Sequence, residues 1–277
     1  VRFADPQREA KRELAERVIR RAAARQEPWT TPLRAHLPHD KAEYPKLLCL
    51  DQNKWIDLAR SHYGRENGTP FRDALDAVRQ GIANGKLVVP VAGANLYEAA
   101  EHPDPSRRER LARFMVDLSQ NQSLVNHEIV LRWELRRAVL VVFEKRVPRA
   151  VRPALLHPGM FVAATGKYPV MATGEPEIDA LATAAMYDPD LAVASIVQFM
   201  DRQTVCELRD KDKHAAEAVE GIRRLDALAI PYANIVVAEK SWSHVAATSG
   251  LGERYGTVIV RDARALPDLL RSEGCLQ

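Results

Sequence analysis

The chain has 277 residues, 46% of them hydrophobic and 28% charged, with a net charge of +3. That balance excludes a collagen-like or wholly disordered chain and leaves a nucleic-acid partner neither demanded nor forbidden. No apolar run reaches the roughly 18 residues of a membrane helix, the charged N-terminal stretch carries no secretory pattern, and Cys49, Cys206 and Cys275 lack zinc spacing; a cytoplasmic protein with free thiols and no membrane contact is expected.

The chain opens with Asp5-Pro6, a good cap and first-turn pair, and Leu14, Val18 and Ala22 then form a narrow helical stripe among arginines. A proline-rich connector follows, so residues 1–45 are read as a helix and linker ahead of a domain over 46–277. KLLCL (Lys46 to Leu50) is a buried parallel strand by its unbroken apolar run, and NKWIDLARSHYG is the helix after it. Thr69-Pro70 opens a helix with Phe71, Leu75, Val78 and Ile82 on one face; KLVVPV (Lys86 to Val91) is a second strand, and ANLYEAAEH a helix.

From about residue 104 to 213 the pattern turns helical, with a strong helix in HEIVLRWELRRAVLVVFEKR, an irregular Pro/Gly-rich stretch from Pro148 to Glu177, and further helices beyond it. This stretch reads as a helical insertion that supplies no strand to the central sheet. NIVVAE (Asn234 to Glu239), KSWSHVAATSG, TVIVRD (Thr257 to Asp262) and LPDLLRSEG then restore the strand–helix alternation. The order implies an α/β domain with a parallel sheet built from both ends of the chain.

Ligand sites in such sheets form at the carboxyl ends of strands. Asp51, Glu239 and Asp262 fall at those ends, Glu98 lies about a turn into the helix after the second strand, and Asp226 lies on the helix before NIVVAE. Carboxylates gathered from separate strands repel unless a cation holds them, and hard oxygen ligands suit Mg²⁺ or Mn²⁺. Lys54 and Lys240 lie next to these acids in sequence and are nominated as phosphate contacts.

LCLDQNKWIDLA, VPVAGANLYEAAEH, AIPYANIVVAEKSWSHVA and GTVIVRDARALPDLL, taken in order, resemble the motifs of PIN-like domains over about half the chain. The resemblance implies a three-layer α/β/α PIN-like fold and a metal-dependent ribonuclease. Asp51, Glu98, Glu239 and Asp226 would be its catalytic metal ligands, and Asn53, Asn234 and Asp262 secondary candidates. Single-stranded RNA is the implied substrate, with a protein partner such as an antitoxin as a further implication. Asn234 stands where relatives tend to carry Asp, which feeds the alternative of a catalytically inactive PIN-like module that binds RNA or a protein. An unrelated Rossmann-like enzyme acting on a small phosphate compound is a third reading.

Each acid also has an ordinary structural reading. Asp51 and Asp262 can cap the helices that follow them, Glu98 can be a surface acid, Glu239 can pair with a nearby cation, and Asp226 is open between the two. Trp55 and Trp242 are expected to pack in the core rather than stack on bases.

Overall fold

The computed structural model describes residues 41, 45–143, 154–160, 163, 188–209 (side chains to 203) and 229–276. Strand β1 (Lys46–Leu50) leads into α1 (Gln52–His62), a 3-10 turn over Glu66–Phe71 into α2 (Arg72–Ala83), and β2 (Leu87–Val88) into α3 (Gly93–Ala100). The middle holds α4 (Pro105–Leu118), β3 (Gln122–Leu124), α5 (His127–Val142), β4 (Leu156–Pro158) and α6 (Pro189–Arg209). The chain returns through β5 (Ile235–Val237), α7 (Lys240–Thr248), α8 (Leu251–Tyr255), β6 (Val258–Val260) and α9 (Leu266–Ser272). The N-terminal helix read from the sequence, the helix around 214–228 and Asp226 lie outside the described residues.

The central sheet has the order β2-β1-β5-β6 with every pair parallel. Its two inner strands, β1 and β5, pair Leu48 with Ile235, Cys49 with Val236 and Leu50 with Val237. Successive side chains leave opposite faces, and both faces are buried. Leu48, Leu50, Ile235 and Val237 join one core cluster with Trp55, Leu96 and Phe114. Leu47, Cys49, Val236 and Ala238 join a second with Val130 and Trp133. That double burial is why the strands read as unbroken apolar runs rather than alternating ones. Each buried leucine contributes about 1.5–3 kcal/mol. Burial also pushes the Cys49 thiol up to about 12, so it acts as a core residue and not a nucleophile. Trp55 is fully buried and meets Phe114 edge-on at 6.1 Å between ring centres, as core packing requires.

The second strand is shorter than the sequence predicts. Pro90 has no N–H to give the ladder, and β2 ends at Val88. Val91 pairs sideways instead: its N–H donates to the Gln122 carbonyl at 3.0 Å, and its carbonyl accepts from Leu124 N–H at 2.9 Å. The middle of the chain is therefore not purely helical. β3 and β4 form an antiparallel pair that touches the end of the β2 segment through the Val91–Ser123 bridge. The turn into β3 uses left-handed backbone at Gln120 and Asn121, with φ of 50° and 58°. Gly93 opens α3 because a Cβ there would stand 2.4 Å from the Ala163 carbonyl oxygen.

Helix α5 buries Val130 and Trp133 but leaves Leu131, Leu135, Val139 and Val142 more than half exposed, as is Phe143 just past its end. Among the described residues, no helix is long and apolar enough to cross a membrane.

Asn234 anchors the amino end of the inner pair, the opposite end from Asp51. Its Oδ1 accepts from Leu47 N–H at 2.9 Å, and its Nδ2 donates to the Lys41 carbonyl at 2.6 Å. It is 6% exposed, and its amide is spent on holding the entering chain to the sheet. Asn234→Ala is expected to cost about 1–3 kcal/mol, because it strands a buried N–H. Urea unfolding measures this, and an unchanged midpoint would refute the anchoring role.

Candidate functional site

The site begins with strand register. Asp51 N–H donates to the Val237 carbonyl at 2.9 Å, which sets the end of β1 beside Ala238 and Glu239. Asp51 leaves the strand in extended backbone and caps α1, its Oδ1 accepting from Gln52 N–H at 2.8 Å. Its Oδ2 is buried and has no hydrogen-bond partner of normal geometry. Burial is the main force raising the Asp51 pKa, and the nearby Glu239 carboxylate raises it further. The Gln52 N–H, the Lys54 charge and, more weakly, the Glu239 N–H oppose that shift.

Glu239 ends the β5 segment and stands just before α7, half-buried, without capping it through its side chain. Asn53 Nδ2 donates to Glu239 Oε1, so the starts of α1 and α7 are tied across the strand ends. The structure thus brings Asp51, Asn53 and Glu239 together.

Glu98 arrives from the other side of β1. Asn95 is buried at the start of α3, where its Oδ1 accepts from Ala92 N–H at 3.1 Å and its Nδ2 donates to the Leu50 carbonyl at 3.2 Å. Those bonds fix α3 against the end of β1. Glu98 follows three residues later, half-buried on the same helix.

Asp262 takes its structural reading. It caps the 3-10 turn over Ala263–Ala265 through Arg264 N–H at 2.9 Å, and Arg264 Nε reaches both its oxygens at 3.0 and 2.8 Å. The Arg264 guanidinium holds its pKa below the ordinary carboxylate value.

Asp57 is an acid that sequence reasoning passed over. Its pKa is raised by burial and, to a lesser extent, by Asp262, while Lys54 and Arg60 pull it down. Lys54 Nζ lies 3.9 Å from Asp57 Oδ2 and also acts on Asp51 and Asp262. Nominated as a phosphate contact, Lys54 also serves as an internal counter-cation to these carboxylates.

Beside the acids opens a cleft of about 650 Å³ lined by Asn53, Lys54, Glu239, Lys240, Ser241, His244 and Arg261. Lys240, nominated from the sequence as a phosphate contact, lines it. Arg261 was missed, although it directly follows β6 at a strand's carboxyl end, the same position that singled out Asp51. Ser241 and His244 sit on the first turns of α7 and carry no motif that reveals them.

Two hard oxygen donors, the free Asp51 Oδ2 and the Glu239 carboxylate, suit a hydrated Mg²⁺ or Mn²⁺. Mg²⁺ keeps several waters and needs only one or two protein carboxylates. Among the described residues, no group of three His, Cys, Asp or Glu side chains stands at metal-holding spacing. Compared with known proteins, the chain matches no family model, no curated protein and no solved structure.

The raised pKa gives a signed prediction. Folded Asp51 holds its proton to a higher pH than the unfolded chain does, so this group costs stability as pH rises through its folded pKa. Asn caps a helix as well as Asp but has no charge to bury. In EDTA at pH 7, Asp51→Asn is expected to melt at or above wild type, with the two converging near about pH 3, where both Asp51 states are protonated. Asp51→Ala loses the cap and should be destabilised by about 1 kcal/mol. A marked early melt of Asp51→Asn at neutral pH would show that the carboxylate serves the fold alone.

Proposed function

We propose that the chain is a divalent-cation-dependent endoribonuclease on a three-layer PIN-like α/β/α domain. The observation that carries the reading is the free, buried Asp51 Oδ2, fixed on a rigid strand end beside the Glu239 carboxylate. An unpaired acid oxygen in that position is costly unless a proton, an ordered water or a cation relieves it, and the neighbouring Glu239 carboxylate favours the cation. The Asn95 bonds hold α3 to the end of β1, and Glu98 on that helix stays a candidate ligand with Asp226.

When bound, Mg²⁺ or Mn²⁺ supplies charge neutralisation at the phosphate under attack and lowers the pKa of the attacking water. Asp51 and Glu239 are the residues that would hold it, at the strand ends. Asn53 fixes the Glu239 carboxylate through its amide. Lys240 and Arg261 draw the RNA backbone along the cleft, and Lys54 balances the acids beneath it. The cleft lining offers the cations Lys54, Lys240 and Arg261 to an RNA backbone, and His244 is its one aromatic ring among the described residues.

A second reading is a PIN-like module that binds RNA or a protein without cutting. Asn53 on Glu239 and Lys54 among the acids favour it, since side chains of the protein already engage these carboxylates.

The deciding experiment incubates purified protein with single-stranded RNA and Mg²⁺ or Mn²⁺, with EDTA as the control. Cleavage is expected, and Asp51→Asn and Glu239→Gln should each lower it by at least about 100-fold. Full cleavage by both variants, or cleavage that survives EDTA, overturns the nuclease reading; RNA binding without any cleavage favours the second. Arg261→Ala should weaken single-strand binding similarly across sequences and lower the salt slope by about 0.7. An unchanged slope, read from binding titrations at several salt concentrations, removes Arg261 from the interface.

A further inference from the structure

Gln52 follows Asp51 directly and is 5% exposed, yet both its Oε1 and its Nε2 lack a hydrogen-bond partner within the protein. Its backbone N–H is engaged by Asp51 Oδ1. The adjacent Asp51 Oδ2 is equally buried and equally unpaired. A carboxamide donor and a carboxylate acceptor on neighbouring residues therefore lie buried without bonding each other. Groups in that condition cost stability, and native proteins satisfy them with ordered water or an ion. An apolar residue of similar size would fill the first turn of α1 at no such cost.

We infer that Gln52 is a positioning residue for a divalent cation at the end of β1, its carboxamide holding the ion's hydration shell while Asp51 Oδ2 binds the ion. The inference rests on the cation reading above and adds to it a residue for which sequence reasoning found no role. Waters on a divalent ion are strong donors, and Oε1 is a free acceptor. Nε2 is a free donor for the same shell or for a phosphate oxygen arriving on the ion. Outer partners of this kind tune metal affinity by about 10- to 100-fold.

The test is Gln52→Met, which keeps the volume and removes both polar atoms. Thermal melts of wild type and variant are followed in EDTA and across a Mn²⁺ titration, a readout independent of RNA cleavage. In EDTA the variant is expected to melt at or above wild type, because the unpaired amide is gone. The Mn²⁺ concentration needed for half of the melting shift should rise about tenfold. Gln52→Glu, which puts a charged oxygen in the same position, should lower it.

If Mn²⁺ does not shift wild type, the cation reading falls and this inference falls with it. If wild type shifts and Gln52→Met titrates identically, Gln52 alone is excluded from the site. A variant that melts early in EDTA and keeps wild-type Mn²⁺ affinity assigns Gln52 to a structural water, which also overturns the proposal. Should Gln52→Met fail to fold, Gln52→Glu decides: unchanged or weaker Mn²⁺ affinity refutes it.

Discussion

Everything at the candidate site depends on the pairing of β1 with β5. Asn234 and Leu47 bond across 187 residues of sequence at one end of that pair. At the other end, Leu50 stands opposite Val237. Because side chains alternate along a strand, a slip of one residue would turn Leu48 and Leu50 toward the wrong cluster and move Glu239 away from Asp51. The apolar partition between the two cores thus fixes the register, and the register fixes the acids. The site needs little scaffolding of its own beyond the Asn53 bridge and the Asn95 clamp.

The charges around Asp51 are balanced rather than simply assembled. Burial and Glu239 work against its ionised form, while Lys54 and the helix-start N–H of Gln52 work for it. Lys54 is shared with Asp57 and Asp262, and Arg264 takes most of the burden of Asp262. Asp262 is thereby removed from competition for a cation, and Asp51 and Glu239 are left with incomplete compensation. The same feature suits both functional readings: a lysine near the acids offsets their mutual repulsion and is also a cation of the sort a phosphate would meet.

The sequence made the strand–helix order at both ends legible, because those strands are buried on both faces and read as pure apolar runs that stop at an acid. Asp51 and Glu239 were singled out by that punctuation, and Asn53 by its place two residues beyond Asp51. The β3–β4 pair was not, since Gln122 and Ser123 are polar and interrupt any apolar run; Ser123 is buried with its hydroxyl donating to the Gly159 carbonyl. Asn234 was read through its likeness to a ligand position, yet its place before the strand commits its amide to the fold. Asp57 and His244 sit on helices where polar residues are commonplace, so only the way α1 and α7 converge gives them meaning. Gln52 was invisible for a related reason: an amide after a cap residue looks solvent-facing until its burial is known.

The long separation between β1 and β5 also sets an order of events in time. A ribosome delivers β1, β2 and the entire middle of the chain before Val237 exists to close the inner pair. Until then β1 has one open edge, a template for pairing with the wrong chain. Contacts this distant in sequence slow folding far more than they weaken the finished structure, because each doubling of a closing loop adds only about 0.6 kcal/mol. During synthesis the protein is thus most exposed to misassembly at the strand that later carries Asp51, and the acids meet only once the last quarter of the chain is in place.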